Sequence, residues 1–350
     1  MMAARERAVR PVRSGGHESS SSVGTRLLTT GMGWVRRTPE NRCSIVSWGA
    51  RMSSVVYREV EVKSALNAVK GMPFDWSLNP WSGCAHKCTY CFARAYHARY
   101  REKNVGTDFD SNVEVRVNIA DVLRKELRRR REGSLAIGTA TDPYQPIEGK
   151  YRLTRRCLEA LVEYPMPTSI VTKGPLVVRD IDVLKKLDER TDLTVYFSVP
   201  CVDEEIVRKT DPGTAPPRQR LRALRMLREA GIDAAVLCMP VLPGITDSEE
   251  SLDAAARAAS EAGATAFRHR PLKIDPEIKQ YYYDFLATEF PAMVSRYAAL
   301  YGSGAHPAKD YERQLEERVR RVRARYEFRE RPSRAPRPRE PETVQLQLAI

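Results

Sequence analysis

From about residue 74 onward, short apolar runs alternate with amphipathic helical stretches. Residues 134–141, 168–172, 193–199, 234–241 and 265–268 are brief, mostly apolar and rich in β-branched residues, so they read as strands buried on both faces. Between them, residues 119–131, 153–163, 177–189, 217–230 and 248–262 repeat apolar positions at helical spacing. Thr246 and Glu249 read as a capping box at the start of the last of these, and Gly263 as its stop. With one strand expected just before residue 84, the order gives about six βα units and predicts a parallel sheet with right-handed crossovers. An open sheet and a curved partial barrel both satisfy that order. Residues 311–331 read as a strongly charged helix, and the proline- and arginine-rich stretch after residue 332 as extended chain. Residues 1–51 carry no period of either kind. The chain therefore divides into a basic leader (1–51), expected to be disordered, a core domain (52–275), a helical C-terminal extension (276–331) and a disordered tail (332–350). Met52 is positioned to act as an alternative start.

Composition narrows the class of protein. The 350 residues are 42% hydrophobic, enough for a substantial core. No apolar run approaches the length of a membrane span, so no membrane partner is expected. The seven cysteines show no disulfide-framework spacing, which fits a reducing, cytoplasmic compartment. The net charge of +13 sits mostly in the two tails. It gives a general attraction for polyanions without marking a nucleic-acid groove in the core.

The chemistry concentrates at Cys84, Cys88 and Cys91, within NPWSGCAHKCTYCFARAY. Thiolates are the usual ligands of iron–sulfur clusters. Three of them can hold three irons of a cubane and leave the fourth open to bind something other than protein. A zinc site using His86 is the alternative, but His86 lies between the first two cysteines, badly placed to close the same tetrahedron. The spacing Cys-x3-Cys-x2-Cys resembles that of the radical S-adenosylmethionine (SAM) enzymes. The resemblance implies a [4Fe–4S] cluster with SAM bound at the open iron, a partial (β/α)6 barrel of parallel strands, and a one-electron reductant such as flavodoxin or ferredoxin.

Parallel α/β folds gather functional groups at the C-terminal ends of their strands. At those positions stand Thr141 and Asp142 after the second strand, Lys173 after the third, Ser198 at the end of the fourth, and Val241 with Leu242 at the end of the fifth. Lys173 and Ser198 suit the SAM carboxylate. Thr141 and Asp142 suit its polar face or the ribose, and Val241 and Leu242 suit a wall for adenine.

The segments NPWSGCAHKCTYC, TATDPYQP, VTKGPLVVRDIDVL, FSVP and MPVLPGITD, in that order, resemble the spore-photoproduct-lyase-like branch of this superfamily, closest to its uncharacterised relatives. The likeness runs over roughly residues 60–275. It implies SAM contacts from Thr141, Asp142, Lys173 and Ser198. It also implies a role near the reacting centre for Tyr90, which matches one of two tyrosines flanking the third cysteine; the other position is Phe92. The branch's namesake uses a hydrogen-donor cysteine where this chain has Thr139, so lesion repair by that route is not expected. Cys201, at the rim of the fourth strand, is the candidate replacement thiol. Cys157 and Cys238 read as core, and Cys43 as incidental. Tyr281, Tyr282 and Tyr283 are candidates for stacking on bases, although three consecutive residues cannot share one helix face. The expected activity is SAM-dependent hydrogen abstraction from a nucleic-acid base or lesion. The alternative is radical modification of a small molecule or protein side chain; a non-catalytic iron–sulfur or zinc module comes third.

Overall fold

In the computed structural model, six parallel strands lie in sequence order: β1 (Trp76–Leu78), β2 (Leu135–Ile137), β3 (Thr168–Thr172), β4 (Leu193–Ser198), β5 (Asp233–Val241) and β6 (Phe267–Pro271). The structure describes residues 55–332 apart from 102, 103, 107, 130 and 131. The leader, Cys43, Met52 and residues 333–350 of the tail lie outside the described residues. The short segment Leu66–Ala68 pairs antiparallel with β1, and the opposite edge ends at β6. The two edges do not pair with each other, so the sheet is an open, partial β/α core and not a closed barrel. A second, small sheet joins Val56–Val60, Asn112–Arg116 and Trp81–Ser82 beside the first strand.

Register brings the strand ends to one rim. Leu78 pairs with Ile137, Ile137 with Ile170, Thr172 with Phe197 and Ser198 with Leu237. The residues that follow each strand thus open on the same side. The strand expected over 134–141 stops at Ile137. Gly138 turns the chain there with φ +86, and a Cβ at that position would lie 2.4 Å from the Val171 carbonyl oxygen.

Helices cover the sheet as their periodicity dictates. In Ile119–Leu127, the residues Ile119, Ala120, Leu123 and Leu127 are buried, which is one stripe at helical spacing. The expected helix over 177–189 starts instead as a 3₁₀ turn, Pro175–Asp180, and continues as an α-helix, Ile181–Arg190. The capping box also differs. Ser248 caps Glu249–Glu261 by accepting from the Ser251 N–H, while Thr246 Oγ1 accepts from the Leu242 N–H at 2.8 Å. Buried Leu, Ile, Val and Ala side chains from β1–β6 and these helices form the main core.

The charged C-terminal helix ends at Arg323, well short of residue 331 (Lys309–Arg323). The chain beyond it lies along the end of the sheet opposite the rim. Phe328 stacks on Phe267 with ring centroids 5.8 Å apart, and Tyr326 donates to Asp253 at 2.9 Å. Arg331 donates to both oxygens of Asp188, at 2.8 and 3.0 Å. Tertiary contacts thus hold this stretch extended despite its helical composition. Arg331→Ala should lower stability by about 1–2 kcal/mol, since the pair is partly exposed. It should also speed tryptic cleavage after Arg325 and Arg329. Unchanged melting and proteolysis would mean the strap contributes nothing.

Candidate functional site

The stretch 83–92 is a non-helical loop held from three sides. Gly83 has φ +87, and a Cβ on it would stand 2.5 Å from the Asn112 carbonyl oxygen, so the loop leaves the small sheet in a shape open only to glycine. On one side, buried Gln145 accepts from the Ala85 N–H at 2.9 Å and donates to the Gly83 carbonyl at 3.3 Å. On another, the loop 210–214 runs against it: Thr89 N–H donates to the Thr210 carbonyl at 2.9 Å and Gly213 N–H to the His86 carbonyl at 3.0 Å. From the third side, fully buried Arg94 donates to the Cys88 carbonyl at 2.9 Å and to both oxygens of Asp110 at 2.7 and 2.9 Å. Its remaining donors reach the Val105 and Gly106 carbonyls.

Cys84 and Cys88 are buried and Cys91 is partly buried; their thiols lie within electrostatic reach of one another. Burial pushes the Cys84 thiol up to about 12, with Asp142 adding to the rise. Cys88 is raised further, by burial and then by Asp211. Binding iron must therefore displace protons from these thiols. Among the described residues, no three His, Cys, Asp or Glu side chains converge on one point as a single ion needs. A cubane takes each thiolate on a different iron, so it needs only thiols around a common space.

Asp142 ties this loop to the strand ends. Its carboxylate accepts from Thr172 Oγ1 (2.7 Å), the Lys173 N–H (2.6 Å) and the Tyr144 N–H (2.8 Å), and lies 3.2 Å from His86 Nδ1. Burial alone would raise its pKa, but His86 and these donors outweigh it and hold the carboxyl below the usual range. Thr141 Oγ1 donates to the Trp81 carbonyl at 3.2 Å. Ser198 Oγ donates to the Met239 carbonyl at 3.1 Å. Among the described residues, the Lys173 ammonium has no hydrogen bond or ion pair; it lies 5.2 Å from the centre of the Tyr90 ring. Burial opposes its charge, but Asp211 and the Cys88 thiol prevail and raise its pKa. Leu242 packs in one apolar group with Cys88 and Tyr90, while Val241 belongs to the main core.

Residues 78–255 match the family profile of the radical SAM superfamily. The chain belongs to the radical SAM superfamily. An uncharacterized protein of Mycobacterium tuberculosis (strain ATCC 25618 / H37Rv) is 40% identical over 79% of this chain and 82% of its own. An uncharacterized protein of Methanocaldococcus jannaschii is 27% identical over 56% of this chain and 72% of its own. A radical SAM Nalpha-GlyT isomerase of Pseudomonas phage M6 is 26% identical over 49% of this chain and 34% of its own. Among solved structures, a spore photoproduct lyase double mutant with bound AdoMet and dinucleoside spore photoproduct superposes with TM-score 0.59 at 16% identity, over 78% of this chain and 79% of that one. That likeness is one of fold.

The superfamily implies a [4Fe–4S] cluster and SAM, and the donor set here fits both: three thiols on one loop, an uncommitted ammonium and an apolar wall. Cys201 is 1% exposed, its thiol 3.8 Å from the Asp203 carbonyl, and burial pushes it up to about 12. Tyr90 is buried with its hydroxyl unpartnered among the described residues. Tyr282 is fully buried and Tyr281 covers the Arg94 guanidinium at 4.8 Å, so these two pack against the protein. Sequence reading passed over Arg94, Gln145, Asp211, Gly213 and Arg220. Asp211-Pro-Gly213 was the available signal: a tight turn following a strand-end helix.

Gly213 gives the sharpest test of this frame. A Cβ there would lie 2.2 Å from the Ala85 carbonyl oxygen, and backbone cannot yield that distance. Gly213→Ala should displace the cysteine loop. Iron per chain after anaerobic reconstitution should fall by half or more, and stability by about 1–3 kcal/mol. Wild-type iron content and melting would show that the turn does not hold the loop.

Proposed function

We propose that Cys84, Cys88 and Cys91 hold a [4Fe–4S] cluster with no fourth protein ligand, beside a SAM site formed by Lys173, Ser198, Thr141 and Leu242, backed by Val241 and framed by Asp142, whose carboxylate is taken up by the protein. The observation that carries this reading is the Lys173 ammonium. It is partly buried and makes no hydrogen bond or ion pair among the described residues, and it lies 5.2 Å from the ring of Tyr90, which stands between Cys88 and Cys91 in the cysteine loop. A cation kept in such a place suits a carboxylate that arrives with a ligand. Together, cluster and SAM supply one-electron reductive cleavage of SAM, with hydrogen abstraction from a substrate carbon as its outcome.

The protein's own residues bind and align. Asp142 holds the cysteine loop against the ends of β2 and β3. Lys173 takes the SAM carboxylate, and Ser198 Oγ, with lone pairs to spare, adds a polar contact. Leu242 offers adenine an apolar surface. The proposed reductant is a small one-electron carrier such as flavodoxin or ferredoxin, in the cytoplasm; no helix of the described residues is long and apolar enough to cross a membrane.

For the substrate we favour a nucleic-acid base or lesion. Phe92, next to Cys91, is 44% exposed and meets Tyr96, 53% exposed, edge-on at 6.3 Å; Arg99 lies 6.0 Å from the Tyr96 ring. Exposed aromatic rings suit base stacking, although Arg99 is itself paired with Glu277. The GlyT in the phage isomerase's name and the dinucleoside in the lyase structure agree with it. Thr139 offers no weak hydrogen–sulfur bond, so spore photoproduct itself is not the proposed lesion.

Anaerobic reconstitution followed by SAM and dithionite should yield 5′-deoxyadenosine, and candidate oligonucleotides should stimulate it. Alanine at Cys84, Cys88 or Cys91 should abolish the cluster's absorbance and its paramagnetic signal after reduction. Stoichiometric zinc without iron in anaerobically purified protein would defeat the reading. Lys173→Ala should keep the cluster and weaken SAM binding by about 1.5–3 kcal/mol; equal affinity would assign Lys173 to packing alone.

A further inference from the structure

One buried charge beside the cysteine loop is used by nothing described so far. Asp211 is 1% exposed, and neither carboxylate oxygen has a hydrogen-bond partner among the described residues. The buried Tyr90 hydroxyl also lacks a partner within ordinary hydrogen-bond distance, but it faces Asp211 closely enough for the carboxylate to act on it as an acceptor. Both belong to one locality: the turn that carries Asp211 is bonded to the cysteine loop at Thr89 and His86, and the Lys173 ammonium lies 5.2 Å from the centre of the Tyr90 ring.

Arg220 does not fill the gap. Its guanidinium is committed to the Ser198 carbonyl at 2.9 Å, the Ala215 carbonyl at 2.8 Å and the Thr214 hydroxyl. It stands 3.7 Å from Asp211, offsetting the charge without supplying a hydrogen bond. A carboxylate taken out of water costs several kcal/mol unless its lone pairs are satisfied. The backbone keeps it in place. Asp211 sits in the turn whose Thr210 carbonyl and Gly213 N–H bind the cysteine loop, so its oxygens are fixed relative to the thiols.

The methionyl end of SAM carries one amino and one carboxylate group on the same carbon. The Asp142 carboxylate is saturated by four contacts, from His86, Tyr144, Thr172 and Lys173. Asp211 faces the Tyr90 hydroxyl and keeps acceptor capacity beyond it, and the Lys173 ammonium, 5.2 Å from the Tyr90 ring, is uncommitted. A nitrogen that also ligates iron keeps N–H donors. We infer that Asp211 is the receptor for the SAM amino group, paired with Lys173 for the carboxylate, with the Tyr90 hydroxyl completing the contact. The inference rests on the reading that this site binds SAM.

The test compares two ligands on reconstituted, full-length protein by equilibrium dialysis: SAM, and the analogue with hydrogen in place of the amino group. Asp211→Asn keeps the shape but replaces one acceptor with a donor. It should weaken SAM binding by about tenfold or more, the scale of one charge-assisted hydrogen bond. Binding of the analogue should stay within about twofold, with iron content unchanged. Equal losses for both ligands would mean that Asp211 only supports the loop, and unchanged SAM affinity would likewise overturn the assignment. If the asparagine variant loses its iron, Asp211→Glu carries the same comparison, because it keeps the charge opposite Arg220 and Lys173 while moving the oxygens. There, too, SAM must lose more than the analogue, and equal losses overturn the inference. A wild-type protein with full iron content that binds neither ligand would instead defeat the underlying SAM reading, and the inference with it.

Discussion

Everything at the rim depends on one carboxylate. Asp142 stands after β2, yet its four contacts reach the cysteine loop through His86, its own loop through the Tyr144 N–H, and the end of β3 through Thr172 and the Lys173 N–H. Three segments far apart in sequence are thereby locked at one point. The cost of burying the charge is offset because every contact donates to it, which is why its pKa falls although burial alone would raise it. If the oxygens were turned elsewhere, the backbone around Lys173 and the cysteine loop would lose their common anchor.

Arg94 plays the matching cationic part on the opposite side of the loop. Five hydrogen bonds, to three carbonyls and both oxygens of Asp110, occupy its guanidinium. Lysine, a point charge, cannot reproduce that fork. Between Asp142 and Arg94 the backbone of the loop that carries the three thiols is fixed from two sides. A loop that must receive a rigid inorganic group benefits from being shaped before the group arrives.

The periodic parts of the fold were legible in the sequence. Short β-branched runs alternating with amphipathic stretches gave six parallel strands in sequence order, because burial on both faces leaves no other period. Ends were less legible. The 134–141 run stopped at Ile137 for a steric reason local to Gly138, and the charged helix stopped at Arg323 because Phe328 and Arg331 find tertiary partners. The cysteines and Lys173 could be read from spacing and strand ends. Asp211 and Gly213 announced only a tight turn, not what that turn touches. They matter through contact with residues more than a hundred positions earlier, and local patterning carries no trace of such a pairing. Asp142 could be read from its strand end and again from the resemblance to a known branch, but only geometry revealed how fully its oxygens are used.

The site therefore holds two carboxylates in opposite conditions. Asp142 is fully satisfied and acts within the protein; Asp211 is buried with neither oxygen within ordinary hydrogen-bond distance of a donor among the described residues, the Tyr90 hydroxyl being its nearest candidate. Folding tolerates the second because the turn that carries it is pinned by backbone bonds to the cysteine loop and because Arg220 and Lys173 balance its charge. A rigid frame can keep a few polar atoms in an unfavourable state, and a ligand that relieves them gains affinity without having to reorganise the protein. On that argument, the rigidity imposed by Asp142 and Arg94 is what allows Asp211 to remain available.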